Sequence, residues 1–221
     1  MTKRPFVLAN FAVTWDARVS TRGRTPSDFS SAADKKRLLA IRALGDAVMV
    51  GRKTLETDTM TLGLPDAALR KERVKRGQLP LPLRVIVSGS GKLDPKLRVF
   101  STEGAPVVVF SKRPTPPKQL KDLVQWRTCD DIAGALHILR TEFGVKKLVC
   151  EGGPSLLHSL AEFDAIDSLY FTHCPRLFGG AAAPGITGDA SAPFLNQSRE
   201  FRIASTEVLH GECYVHYRRR R

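Results

Sequence analysis

The sequence predicts an α/β domain with a mostly parallel central sheet, flanked by helices and closed by a C-terminal antiparallel hairpin. Three observations predict it. Short apolar runs alternate with helix-length segments along most of the 221 residues. Gly, Ser and Asp fall at the changeovers, where turns and helix caps need them. The alternation then gives way to two consecutive strand-like runs, 201–209 and 213–217, around His210-Gly211. No repeat or linker divides the chain, so residues 1–221 read as one domain.

Each element follows in order. Residues 6–13 are the first strand, and a polar loop with Gly23 and Pro26 comes after it. Ser30 or Ser31 can cap a helix running to Leu44, which Gly45 ends. Residues 47–50 are a buried strand leading into a helix that starts near Thr54. Residues 59–82 carry Gly63, Pro65, Gly77, Pro80 and Pro82, marking a long connection with one short basic helix. Residues 84–87 and 107–110 are buried strands, and Pro114, Pro116 and Pro117 open a segment reaching Leu123. Asp130-Asp131 can cap an amphipathic helix over 132–143, closed by Gly144. Then come a strand at 147–150, a helix at 155–163 and a strand at 168–173. A Gly- and Ala-rich loop spans 179 to about 198 before the hairpin.

Composition bounds the function. A hydrophobic content of 42% with 26% charged residues is that of an ordinary soluble protein, and no apolar run approaches a membrane span. The N-terminus shows no signal-peptide pattern, so a cytoplasmic location is expected. Cys129, Cys150, Cys174 and Cys213 form no CxxC pair, which excludes a zinc site or disulfide framework as the first reading. No metal is expected. The net charge of +13 admits nucleic acid or a multiply phosphorylated small molecule. The 7% aromatics do not alternate with the cations as in a base-stacking platform, so nucleic acid is not the expected partner. The terminal Arg218-Arg219-Arg220-Arg221 reads as a solvated end.

In open α/β sheets ligands bind beyond the carboxyl ends of the strands. Thr14-Trp15-Asp16 follows the first strand there. Gly51-Arg52-Lys53-Thr54 follows the second, with Asp58 one turn on. Ser88-Gly89-Ser90 follows the third, and Glu151-Gly152-Gly153-Pro154-Ser155 a later one. Gly permits close backbone approach, Pro suits an early helical position, and Ser can donate to phosphate. Two Gly-containing turns and a Ser/Gly loop on one edge would embrace a dinucleotide. Arg52 and Lys53 supply more charge than NADH requires, so NADPH is the expected cofactor.

These ordered segments resemble the riboflavin-pathway pyrimidine reductases, which share the dihydrofolate reductase fold. Asn10 to Arg18 is similar to the family's NxAxSxDGK, with Ala17 in place of its Gly. Thr54-Leu55-Glu56-Thr57-Asp58 is similar to its T-v-l-x-D, with Thr59-Met60 replacing the usual Asp-Pro. Glu151-Gly152-Gly153-Pro154-Ser155-Leu156 resembles its EGGpxL, and Pro175 to Gly180 its PkllGG. The position of Asn10 is Lys in many bacterial bifunctional members and Asn in the free-standing archaeal and fungal type. The resemblance implies reduction of a ribosylamino-pyrimidine 5′-phosphate, deaminated or still aminated, to the ribitylamino product. It implies that Asn10, Asp16, Arg42 and Leu62 face the phosphorylated pyrimidine. Gly51 through Thr54, Asp58, Ser88, Gly89, Ser90 and Gly152 through Ser155 would hold the dinucleotide. Glu151 and Asp58 are the carboxyl groups that would handle the proton, and a homodimer is expected.

Two rivals remain on the sequence. A dihydrofolate reductase shares the Gly51-Arg52-Lys53-Thr54 turn but shows no clear counterpart of its folate-binding carboxylate unless Asp34 serves. A basic nucleic-acid-binding module rests on charge alone.

Overall fold

The computed structural model describes residues 3–24, 28–187 and 198–220. Pro26, Arg221 and the 188–197 part of the Gly/Ala-rich loop lie outside the described residues. The strands are β1 (Phe6–Thr14), β2 (Ala47–Gly51), β3 (Leu83–Val87), β4 (Val107–Ser111), β5 (Gln125–Thr128), β6 (Lys147–Cys150), β7 (Ser168–Cys174), β8 (Phe201–Leu209) and β9 (Glu212–Arg219). The helices are α1 (Ala32–Arg42), α2 (Arg52–Thr57), α3 (Ala67–Lys75), α4 (Arg98–Ser101), α5 (Ile132–Thr141) and α6 (Pro154–Glu162). One nine-stranded sheet runs in the order β5-β4-β3-β2-β6-β1-β7-β9-β8. Pairing from β5 to β7 is parallel, and β9 and β8 are antiparallel. All seven parallel strands therefore end on one edge.

Side-chain alternation decides which helices cover which face. Leu8, Val48 and Val149 share a face, since Leu8 and Val48 both pair with Val149, and α1, α2 and α4 pack there through Ile41, Leu55 and Val99. Val7, Met49 and Leu148 point the other way, onto Leu136 and Leu139 of α5 and Leu157 and Leu160 of α6. Caps set the starts. Ser31 Oγ accepts the Asp34 N–H at the head of α1, and Asp131 accepts the Gly134 N–H at the head of α5. Gly144 at φ 66 supplies the left-handed turn after α5.

Two short elements escape sequence patterning. α4 is a four-residue turn, and β5 is the outer parallel strand, Gln-Trp-Arg-Thr, with no apolar alternation. The helix after β2 begins at Arg52 rather than at Thr54, because Gly51 takes the N-cap position.

The long connection is tied down by its basic helix. Arg73 is fully buried and donates to the carbonyls of Ala43, Gly45 and Leu79. Arg76 donates to Ala43 O at 2.8 Å and Gln78 to Leu44 O at 3.3 Å. The carbonyls of Ala43, Leu44 and Gly45, in the turn between α1 and β2, are thus satisfied from residues 73–78.

Candidate active site

The parallel strands end at a cavity of about 1680 Å³. That exceeds the roughly 300–1,000 Å³ of an ordinary small-molecule pocket and leaves room for two ligands side by side. One end lies under β3, β4 and β5, and the other between the sheet and α1.

At its centre two glycine turns sit against each other, because β2 and β6 are sheet neighbours. The Gly51 N–H donates to Gly152 O at 2.8 Å. Gly152 has φ 117, a conformation open to Gly alone, and its amide joins Gly153 in a cis peptide. Thr54 lies directly beneath. A Cβ on Gly153 would fall 2.2 Å from Thr54 Oγ1, and one on Gly152 would fall 3.3 Å from Thr54 Cγ2. These absent side chains leave a backbone cradle at the cavity wall, with Pro154 and Ser155 opening α6 beside it.

The outer end carries Ser88, Gly89 and Ser90 after β3, joined by Ser111 at the end of β4 and Lys112 after it. Ser88 is 2% exposed, and its hydroxyl has no hydrogen-bond partner among the described residues, although its backbone N–H is bound to Phe110 O. Cys129 borders the same end. Its thiol is pushed up to about 11 by burial and by the Asp131 and Asp130 carboxylates, which leaves it an inert wall rather than a nucleophile. Arg52 and Lys53 line the cavity too, but Arg52 is already paired with Glu56, at 3.2 Å.

Toward α1, Asn10 of β1 and Glu151 at the end of β6 face Asp34, Leu38 and Arg42. The last three are spaced i, i+4, i+8 and so share one helix face. Arg42 grips Glu151 bidentately, Nε to Oε1 at 2.7 Å and Nη2 to Oε2 at 2.6 Å, and also donates to Gly63 O. Both side chains are buried, at 7% and 1% exposure. Burial alone would lower the Arg42 guanidinium, but the Glu151 carboxylate more than offsets it and holds it above its ordinary value. Asp58 borders the cavity at the end of α2.

Two expected substrate residues do not line the cavity. Leu62 is 1% exposed, with φ 56, and packs into the core beside Leu55 and Ile86. Asp16 accepts the Thr14 hydroxyl at 2.6 Å and the Gly179 N–H at 2.8 Å, with the Phe178 N–H at 3.3 Å. Those bonds hold its carboxyl below the usual range, the Thr14 hydroxyl contributing most, and fasten the loop after β1 to the loop after β7. Ala17 beside it has φ 58, which explains why the resembling family places Gly there. Arg18 and Ala183, joined Nη1 to O at 2.9 Å, continue that roof over the cavity. Arg18, Asp34, Leu38 and Lys112 were not among the expected lining. Helical spacing from Arg42 would have found Asp34 and Leu38, and the strand-end rule would have found Lys112.

The pattern of the family described as RibD C-terminal domain matches residues 5–212. A 2,5-diamino-6-ribosylamino-4(3H)-pyrimidinone 5′-phosphate reductase of Archaeoglobus fulgidus is 29% identical over 207 residues, covering 90% of this chain and 93% of that protein. The protein of the same name from Methanothermobacter thermautotrophicus is 30% identical over 219 residues, covering 93% of this chain and 97% of its own. Acinetobacter baumannii RibD, form 2, superposes with a TM-score of 0.84 at 19% identity over 99% of this chain, which spans 59% of that longer one. Dihydrofolate reductase is a more distant neighbour of the same fold. The expected fold class is borne out, a mostly parallel sheet with antiparallel C-terminal strands.

Proposed function

The chain belongs to the RibD C-terminal domain family, and from that premise we propose that it is an oxidoreductase of riboflavin biosynthesis. It reduces 2,5-diamino-6-ribosylamino-4(3H)-pyrimidinone 5′-phosphate, the compound in its archaeal relatives' names, to the ribitylamino product with NADPH. The observation that carries this reading is the paired glycine turn over Thr54. Glycine backbone packed so closely on Thr54 that a Cβ at Gly153 has no room, with a buried Ser88 hydroxyl at the same cavity that has no partner among the described residues, fits an extended dinucleotide diphosphate. Gly51 through Thr54, Ser88 through Ser90 and Gly152 through Ser155 would hold it.

The chemistry places demands on the protein. The 6-amino nitrogen must expel the furanose oxygen to give a C1′ imine, the nitrogen's proton ending on the freed O4′. A nicotinamide, when bound, would supply a hydride to C1′, and one proton delivered to the nitrogen would complete the amine. Arg42 and Glu151 orient each other as a rigid wall, and the proton role is assigned to Asp58, which borders the cavity at the end of α2. Asn10 presents an amide to the pyrimidine. The loops after β1 and β7, which Asp16 fastens together, border the cavity in which the imine would form.

NADPH oxidation with the diamino compound, its uracil counterpart and dihydrofolate tests the reading. Turnover of dihydrofolate alone would overturn it.

Cofactor preference is a separate expectation. An Arg–phosphate contact contributes about 1.5–3 kcal/mol, whereas the i,i+4 pair of Arg52 with Glu56 holds it by only about 0.3–0.5 kcal/mol. Arg52 therefore turns to a 2′-phosphate, and NADPH should bind at least tenfold tighter than NADH. Fluorescence titration of Arg52→Ala should show that ratio shrinking through weaker NADPH binding, while equal wild-type affinities would refute it.

Among the described residues no helix is long and apolar enough to cross a membrane. We place the enzyme in the cytoplasm as a homodimer. Edge strand β8, with exposed Ile203 and Val208, offers the surface for a second copy. Sedimentation should give twice the 24.4 kDa chain mass.

A further inference from the structure

Helix α1, which walls one end of the cavity, is pinned at both ends by a buried carboxylate. At its C-terminal end Arg42 is held by Glu151. At its N-terminal end the carboxylate is Glu212, which opens β9, is 4% exposed and does not line the cavity. Its Oε1 accepts the Ser31 backbone N–H at 2.8 Å and the Cys174 thiol at 3.4 Å. Its Oε2 accepts the Ser31 hydroxyl at 2.6 Å and the Tyr214 hydroxyl at 2.8 Å. These four donors fill the acceptor positions of an ionised carboxylate. Burial alone would raise the Glu212 carboxyl, but the bonds from Ser31 and Tyr214 more than offset it and hold it below its ordinary value. Burial and the same carboxylate push the Cys174 thiol up to about 12, so the sulfur stays a donor.

Ser31 is where this anchor meets the helix. Its hydroxyl gives its one proton to Glu212 and so keeps a lone pair for the Asp34 N–H, at 3.2 Å, the cap contact of α1. A negative charge just beyond the first turn also suits the helix dipole. Two bonds from Ser31 to one carboxylate, 181 residues away, fix the start of α1 in distance and direction. The cavity residues Asp34, Leu38 and Arg42 ride on the helix so held, whereas the glycine turns and the Ser88 loop belong to other elements. Resting on the function proposed above, we infer that Glu212 is a positioning residue for the reaction: acting through Ser31, it sets the place of α1 along its axis and with it the wall that receives the pyrimidine nucleotide. A slide of this 11-residue helix would carry its whole cavity face with it and leave the dinucleotide cradle where it is.

The test is a double-mutant cycle on Ser31 and Glu212, read as kcat and KM for the diamino nucleotide, with NADPH affinity and the unfolding midpoint measured in each protein. Glu212→Gln keeps the shape but presents N–H donors where hydroxyls now donate, and Ser31→Ala removes the hydroxyl link alone. Each should raise KM about tenfold while NADPH affinity stays within about twofold of wild type. The double variant should be no worse than the more severe single, because both changes cut one chain of bonds. Tyr214→Phe removes a donor to Glu212 that does not lead through Ser31, keeps the ring under Arg37, and should leave KM unchanged. Ser31→Ala decides the matter alone should Glu212→Gln not fold. A lowered midpoint with KM intact in Ser31→Ala, or losses that simply add in the double variant, would overturn the inference and leave Glu212 as a stability residue. Wild type turning over neither the diamino nor the uracil nucleotide would instead sink the proposed function, and this inference with it.

Discussion

Glu151→Gln should lose about 3–5 kcal/mol of folding stability, the usual consequence of removing one partner from a buried ion pair. The other partner, Arg42, is 7% exposed and would keep its charge with no counter-ion. For a chain of this length the unfolding midpoint should fall by roughly 6–20 °C. A conservative change at the cavity wall is therefore a severe one, and lost turnover in this variant would not by itself reveal a proton-handling group. The double variant Arg42→Met, Glu151→Met separates the effects. It removes both charges at similar volume, so it should recover much of the stability while remaining inactive. Calorimetry on the three proteins decides the matter. A Glu151→Gln midpoint within 2 °C of wild type, on the order of 1 kcal/mol or less, would show the pair to be energetically idle.

The second large effect is at Gly153. Its φ of −98 is open to any residue, so backbone strain does not forbid Ala there. The obstacle is one atom, Thr54 Oγ1, 2.2 Å from where the Cβ would sit. Either the hydroxyl rotates or the turn moves, and a displacement near 1 Å at the cradle costs on the order of 100-fold in turnover. Gly153→Ala should show that loss together with weakened dinucleotide binding. Adding Thr54→Ala leaves nothing at that contact, since the remaining Thr54 Cβ, at 3.5 Å, is in ordinary van der Waals range. The double variant should be more active than Gly153→Ala alone, though short of wild type because the Thr54 hydroxyl is gone. Equal activity of the single and double variants would mean that the clash is not what limits Gly153.

The glycine turns were legible in the sequence because their chemistry is local. A Gly after a strand and before a helix says that backbone must come close to something. Alternating strands and helices placed the parallel core in the same way. The Arg42–Glu151 pair was not legible, since its members are 109 residues apart and each alone reads as a ligand-facing charge. Asp16 misled for a related reason. Its position after the first strand is a site position, yet its acceptors are spent on backbone N–H groups 162 and 163 residues away. Leu62 was assigned through family correspondence, and its apolar side chain found the core instead. Asp34 and Leu38 were within reach of the sequence, because they share one helix face with Arg42 at i, i+4, i+8 spacing.

The guanidinium of Arg73 has a wider consequence. It and its neighbours fasten the 59–82 excursion to the carbonyls of Ala43, Leu44 and Gly45, the turn that immediately follows the helix carrying Asp34, Leu38 and Arg42. The excursion departs from the resembling family in sequence, yet its mechanical attachment to the substrate wall runs through a few polar side chains. Most of its exposed positions are thus free to drift without moving that wall, and a change at Arg73 would be felt at the pyrimidine from the far end of the helix. The segment is a place where a lineage, or an engineer, can reshape the cavity rim while leaving its frame in register.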